Sequence, residues 1–292
     1  MRSGISAALC VLLIAACDSG LPPPPVIVYA PADMEDELRS WLADSGFAVT
    51  VIPGKGGDYI DDIINKQDAP RADVVVTSSV VDIWRVGDQG RLRPIQGDAF
   101  ARVPAQLKDP DGTWVAFDYR YAVIAAGPNA NEALPRSYAD LGTPELAGQV
   151  CLSSSALPAN RVVISMMIED LGLKPAERAA RRWAHNLAQP PFATEAELIA
   201  ALESGDCNFG IITGLGTTES VLRLRPTPVY VDIDAVGVSR HAQNAEAAQQ
   251  LVDWMLSERA IGEPSATNGR NVGVAGWHDE DARLLVERAG YR

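Results

Sequence analysis

Histidine, cysteine and aromatic residues are scarce in this chain of 292 residues: three His, four Cys, and Phe, Trp and Tyr at 6% together. His185, His241 and His278 stand far apart in sequence. They give neither the spacing of a histidine metal centre nor a partner for a nucleophilic serine. No G-x-S-x-G nucleophile elbow, Walker loop or zinc spacing occurs. Gly54-Lys55-Gly56-Gly57 and Gly214-Leu215-Gly216 do not complete a dinucleotide fingerprint. The chain is therefore not expected to be an enzyme, and no catalytic residue, cofactor or metal site is assigned from these absences. Positive charge is also short: 25 Lys and Arg face 38 Asp and Glu, for a formal net charge of -13. Without a basic cluster to override that balance, nucleic acid is excluded as a partner.

The beginning of the chain carries the strongest signal. Met1 and Arg2 precede an apolar run from Ile5 to Ala16, well short of the roughly 18 residues that a spanning helix needs, so it reads as a signal peptide. Its end, Ile14-Ala15-Ala16-Cys17, resembles the lipobox of bacterial lipoproteins, in which the cysteine is acylated and becomes the first mature residue. Residues 1–16 are then the leader, and residues 17–25, with Pro22 to Pro25, a tether that stays extended. Asp18 resembles an inner-membrane retention signal. The expected location is the periplasm, anchored by lipid on Cys17 to the inner membrane. Cys10 leaves with the leader, so Cys151 and Cys207 remain in the folded part, either as one disulfide or as two separately buried thiols.

About 270 residues remain, more than one core usually holds, which points to two lobes. Strands and helices alternate in the manner of an α/β fold with mostly parallel sheets. Strands are expected at Val26–Tyr29, Ala48–Ile52, Ala72–Thr77, Val150–Leu152 and Asn208–Thr213. Helices are expected at Met34–Ser45, Tyr59–Asn65, Val80–Val86, Asn160–Leu171, Lys174–Leu187, Thr194–Ser204, Asn244–Ser257 and Asp279–Ala289. Thr194 with Glu197 forms a capping box. The long β-rich stretch Trp114–Ala126 reads as a strand crossing between lobes, with a return crossing that begins near Val229. Lobe 1 is expected to hold residues 26–121 and 236–275, and lobe 2 residues 122–235 and 276–292.

Four strand ends run into helix starts through segments rich in hydroxyls, glycine or proline: Ala30–Asp33, Ser78-Ser79, Ser153-Ser154-Ser155 and Thr213–Thr218. Ligands of open α/β sheets lie at such ends, where free N–H groups and the helix dipole favour an anion. The same residue types serve as ordinary N-caps without any ligand. Arg120, in the crossing strand between Tyr119 and Tyr121, reads either as a guanidinium in the interlobe cleft that grips an anion bidentately or as a surface arginine on an edge strand. Most of the six tryptophans fall on apolar helical faces and read as core, with Trp114 the exception best placed to stack on a ligand.

The stretches Val26–Tyr29, Ala72–Trp84, Asp109–Val123, Tyr138–Leu141, Gly148–Leu152 and Glu203–Cys207 together resemble the ferric-iron-binding branch of the type II periplasmic binding proteins. The resemblance covers nearly all of residues 26–275. It implies two α/β lobes joined by crossing strands, a ligand closed between them, a monomer, and delivery to the permease subunits of an ABC importer. The last two stretches resemble a subgroup in which the cysteines are bridged, which favours a Cys151–Cys207 disulfide. The departures fall on the metal site: the family's tyrosine pair is replaced by Leu215-Gly216, a further tyrosine by Ala159, and a histidine by Asp33. Arg120 and Asn160 match positions that resemble the family's anion contacts. The expected ligand is thus a small oxyanion or anionic solute held by Asp33, Ser78, Ser79, Arg120, Ser154, Ser155, Asn160, Thr213, Gly214 and Thr217. The alternatives are ferric iron on other oxygens, from Asp33, Asp58, Tyr119, Tyr121 or Glu219, and an orphan lipoprotein acting as a sensor or assembly partner.

Overall fold

The structure is a computed structural model that describes residues 24–54, 59–65, 72–130, 134–213, 220–265 and 269–292. The leader, Cys17, Asp58, Gly214, Thr217 and Glu219 lie outside the described residues. Among the described residues no helix is long and apolar enough to cross a membrane.

The first half of the molecule is built from β1 (Val26–Pro31), α1 (Glu35–Leu42), β2 (Val49–Gly54), α2 (Tyr59–Asn65), β3 (Val74–Thr77), α3 (Val80–Asp88), β4 (Leu92–Arg93), α4 (Asp98–Arg102) and β5 (Trp114–Ala126). The second half adds β6 (Val150–Cys151), α5 (Pro158–Leu171), α6 (Leu173–Asn186), α7 (Glu195–Ser204), β7 (Phe209–Ile212), β8 (Leu222–Leu224), β9 (Tyr230–Ser239), α8 (Ala245–Glu258), α9 (Val274–Trp277) and α10 (Asp279–Ala289). The strands follow the order β2-β1-β3-β9-β5-β7-β6, with β4 added to β9 and β8 to β5. Parallel pairing holds for β1 with β2 and β3, and for β6 with β7. The long strands β5 and β9 run antiparallel to each other and to β3 and β7. The sheets are therefore mixed rather than mostly parallel, because the crossing strands enter against the direction of their neighbours.

Local chemistry explains the ends of the elements. In α1, Leu38 and Leu42 turn to the core and Gly46 closes the segment at φ +76°. The helical stretch expected over Met34–Ser45 narrows to Glu35–Leu42, flanked by tight 3-10 turns at Ala32–Met34 and Ala43–Ser45. Such tightening of terminal turns satisfies backbone groups that lack α-helical partners. Asp73 lies just before β3, and its buried carboxylate accepts the backbone N–H of Ile27 at 2.9 Å and those of Gln243 and Asn244 at 2.7 and 3.0 Å. One side chain thereby ties β1 to the start of α8. The capping box of α7 is present, with Glu197 N–H donated to Thr194 Oγ1 at 3.2 Å and Thr194 N–H to Glu197 Oε2 at 3.1 Å.

The crossing is made by β5 and β9. From Trp114 to Ala122, β5 pairs with β9, and from Val123 to Ala126 it pairs with β7. Along β9, Tyr230 to Asp234 face β5 alone, while Ala235 to Val238 also pair with β3. The fold is that of a two-lobed α/β protein whose sheets are joined through this ladder. Cys151 and Cys207 are joined as a disulfide with Cα atoms 5.9 Å apart, linking β6 to the turn before β7.

Candidate functional site

The ends of β3 and β7 approach the middle of the β5–β9 ladder, where Arg120 stands opposite Asp232, and Asp118 opposite Asp234. Arg120 donates from Nη1 to Asp234 Oδ1 at 2.6 Å and from Nη2 to the Ser78 carbonyl, and lies 3.7 Å from Asp232 Oδ2. Asp232 is 1% exposed. Its Oδ1 accepts the Ser79 hydroxyl at 3.0 Å and the N–H groups of Val80 and Ile233, each at 2.9 Å. Burial pushes the Asp232 carboxyl up to about 6, with Arg120 and these bonds opposing the rise. Burial also raises Asp234, again against Arg120.

This arrangement differs from the expected grip on an anion. The guanidinium of Arg120 is already matched by two carboxylates and a carbonyl. The start of α3, where an oxyanion was expected, is capped by the protein's own Asp232. Ser79 is engaged in that cap, while Ser78 remains half-buried.

The hydroxyl segments from the second half are likewise drawn into the fold. Asn160 Nδ2 donates to Ser153 Oγ at 2.8 Å and to the Ser154 carbonyl at 2.9 Å. Ser154 donates its N–H to the Phe192 carbonyl at 2.7 Å. Ser155 is buried. Thr213 donates both its N–H and its hydroxyl to Glu195 Oε2, each at 2.9 Å. Glu195 in turn acts electrostatically on Arg120, so Thr213 and Arg120 share a neighbourhood. These bonds hold the strand-to-helix loops in shape.

Two features were missed in the sequence. The first is Arg161, in the first turn of α5, whose Nε donates to Asp279 Oδ1 at 2.6 Å and whose Nη1 lies 3.3 Å from Asp82 Oδ1 on α3. A second bond joins Arg161 Nη2 to Asp279 Oδ2. All three side chains are nearly buried, and burial raises Asp82 despite the adjacent guanidinium. The second is Tyr59 at the start of α2, 5% exposed and edge-on to Tyr29 at 5.8 Å between ring centroids. Its packing requires Gly54, where a Cβ would come within 2.4 Å of the Tyr59 Cβ. The Tyr59 hydroxyl is buried without a hydrogen-bond partner among the described residues. Burial holds its pKa well above the ordinary phenol value, reinforced by Asp82, Asp33, Tyr29 and Asp234. In the sequence, its only signal is a phenol at the head of the apolar face formed by Ile60 and Ile64.

Tyr119 and Tyr121 flank Arg120 and therefore project from the opposite face of β5. Their rings meet edge-on at 5.7 Å. Tyr121 Oη accepts the Ser265 N–H at 2.8 Å, and Arg225 stacks on its ring at 4.1 Å. Burial acts to raise Tyr121, but bonds from Ser265 and Tyr119 and the charge of Arg225 outweigh it, and the net shift is downward. The two tyrosines thus form a group separate from Asp33, Tyr59 and Asp234. No cluster of three or more His, Cys, Asp or Glu placed to hold a metal occurs among the described residues.

Residues 69–275 match the family model described as bacterial extracellular solute-binding protein. The chain belongs to this family. Among curated relatives, Iron uptake protein A1 of Synechocystis sp. is 25% identical over 249 residues, spanning 77% of this chain and 69% of that protein. The Fe(3+)-binding periplasmic protein of Serratia marcescens is 22% identical over 256 residues, spanning 80% of this chain and 74% of that one. Among solved structures, the Trichodesmium IdiA/FutA protein in complex with iron and citrate superposes with a TM-score of 0.79 at 24% identity, over 92% of this chain and 100% of the other. The ferric binding protein from Campylobacter jejuni gives 0.80 at 18% identity, over 91% and 100%. These likenesses establish the two-lobed periplasmic binding protein fold.

Proposed function

We propose that this protein is the periplasmic receptor for ferric iron of an ABC importer, tethered to the inner membrane by a lipid on Cys17. The observation that carries the ligand is the buried Tyr59 hydroxyl, which has no partner among the described residues and sits in the field of Asp33, Asp82 and Asp234. Ferric iron is a hard cation that takes anionic oxygen ligands, and phenolate with carboxylate is such a set. The charge balance points the same way. Asp82, Asp232, Asp234 and Asp279 more than consume Arg120 and Arg161, leaving neither guanidinium free to attract an oxyanion. The names of the Synechocystis and Serratia relatives support iron independently of this geometry.

In this reading the ion enters between the opened lobes and is held by Tyr59 with the surrounding carboxylates, while Arg120 and Asp232 brace the hinge. On the same reading the lobes comprise residues 26–121 and 236–275 against 122–235 and 276–292, a division supported by the change of strand partners along β5 and β9. Packing of α10 on α5 and α6 supports placing the last segment with the second lobe. Capture is a binding event closed by lobe motion, and the receptor works as a monomer that docks on the permease.

The test is a titration of the purified full chain with ferric nitrilotriacetate, followed by visible absorbance and calorimetry. A tyrosinate-to-iron band is expected in wild type and lost in Tyr59→Phe, with affinity at least about tenfold weaker. Since the Tyr59 phenol is held protonated, loading releases a proton and affinity rises with pH. Arg120→Gln removes a nearby positive charge and should leave ferric affinity intact or higher. Failure of wild type to bind iron, with stabilisation by phosphate or sulfate that Arg120→Gln abolishes, returns the ligand to the oxyanion class.

A further inference from the structure

A second pocket of about 450 Å³ opens at the far end of α3 from Ser79, between that helix, the loop leading into β5 and the segment before α9. Three of the six tryptophans line it: Trp84, Trp114 and Trp277. Trp277 is 75% exposed, whereas Trp114 is 1% exposed. Concave, largely apolar pockets with a few polar groups are where small ligands bind. Glycines let the indoles pack close against the backbone. A Cβ on Gly87 would lie 3.2 Å from Trp114 Cδ1, one on Gly273 would lie 3.2 Å from Trp114 Cζ2, and one on Gly276 would strike Trp84 at 2.1 Å.

The polar groups of the pocket carry one sign. Asp88, Asp109 and Asp111 line it, and none of its described lining residues is Lys or Arg. Asp109 uses Oδ2 on the N–H and hydroxyl of Thr113, at 3.0 and 2.6 Å, and no bond to its Oδ1 is present among the described residues. A separate observation concerns Trp114. Its indole N–H has no acceptor among the described residues, although the side chain is almost wholly buried and borders the cavity. The indole nitrogen is not one of the fully enclosed atoms without a partner, so it is reached from the cavity and can donate to a bound acceptor.

We infer that this pocket binds a small methylated ammonium ion that also carries an acceptor oxygen. Trp84 and Trp277 supply ring surface for the cation, the three aspartates neutralise it, and the Trp114 N–H donates to the oxygen. Aromatic walls recognise quaternary ammonium groups by this electrostatic attraction to the ring faces. None of its lining residues is among those proposed to hold iron, although Trp277 comes from the segment assigned to the second lobe.

Choline is the probe, and 3,3-dimethylbutan-1-ol, its neutral isostere, is the control. Titration of the purified full chain, read by tryptophan fluorescence and calorimetry, should give saturable choline binding in the range of about 10 µM to 1 mM, with the isostere at least about tenfold weaker. Trp277→Ala, at an exposed position, should weaken choline about tenfold without lowering the melting temperature, and Asp111→Asn about threefold. No saturation below about 10 mM choline, equal binding of the isostere, or indifference of choline binding to Trp277→Ala would each overturn the assignment.

Discussion

The Asp232 carboxylate accepts the Ser79 hydroxyl at 3.0 Å, tying the return strand β9 to the first turn of α3 across 153 residues of chain. The same oxygen takes the Val80 N–H, so a fixed anion already occupies the helix start that was expected to receive a ligand anion. Among the described residues, the other oxygen of Asp232 has no hydrogen bond and only Arg120 nearby, at 3.7 Å. A carboxylate so enclosed is costly to ionise, and its consequences are measurable.

Asp232 titrates at about 6 in the folded protein, above the ordinary carboxylate value. The raised value means that the native state holds this proton more tightly than the unfolded chain. Its contribution to stability is full below about pH 4 and is lost as pH rises through about 6. Urea unfolding from pH 4 to pH 7 should show a wild-type profile that falls, relative to Asp232→Asn, by on the order of 2 kcal/mol. Parallel profiles for the two proteins would remove the argument.

Arg161 is the only guanidinium bonded to Asp82 and Asp279 among the described residues, and all three are nearly buried. Replacing it with Met leaves two carboxylates without a counter-charge and should cost about 3–5 kcal/mol. Arg161→Lys should rescue only part of this, since an ammonium cannot reproduce the paired bonds to Asp279. Thermal and urea melts of the three proteins check the order wild type, Lys, Met.

The Cys151–Cys207 link spans 56 positions. Closing such a loop stabilises by about 4 kcal/mol in the chain-entropy model, so the Cys151→Ala, Cys207→Ala double variant should unfold at correspondingly lower urea. Thiol titration of native protein under non-reducing conditions should find neither cysteine reactive. Two free thiols would argue for separately buried residues.

For the anchor, fatty-acid labelling of cells should mark the wild-type protein and not Cys17→Ala, with export retained in the variant. An unlabelled wild type recovered free in the periplasmic fraction would sink the tether.

Much of the scaffold was legible in the sequence because it rests on local patterns. The crossing strand Trp114–Ala126, the helices Tyr59–Asn65 and Asp279–Ala289 and the Thr194 cap follow from apolar periodicity, length and capping residues, and the structure reproduces them. Strand direction was less legible. Whether β9 joins β3 antiparallel depends on a return path that periodicity does not encode, and short elements such as β4 and β8 leave almost no pattern. The site was the least legible. Arg120 was read in the sequence as a grip for a ligand anion in the crossing strand, but its partners Asp232 and Asp234 lie more than a hundred positions away. Without them, a paired cation reads as a free one. Tyr59 shows the converse, since its hydroxyl is notable only for a missing partner, and a missing contact has no signature in a single sequence.

The pairing of β3 with β9 also sets an order in time. Val74, Val75, Val76 and Thr77 are all buried, and one edge of this strand is covered only by Ala235 to Val238. During synthesis, some 160 further residues must follow β3 before that cover exists. Until then the segment is a bare, apolar strand edge of the kind that seeds aggregation. A nascent chain of this design gains by staying unfolded until its late segments are available, and export in an extended state would meet that need.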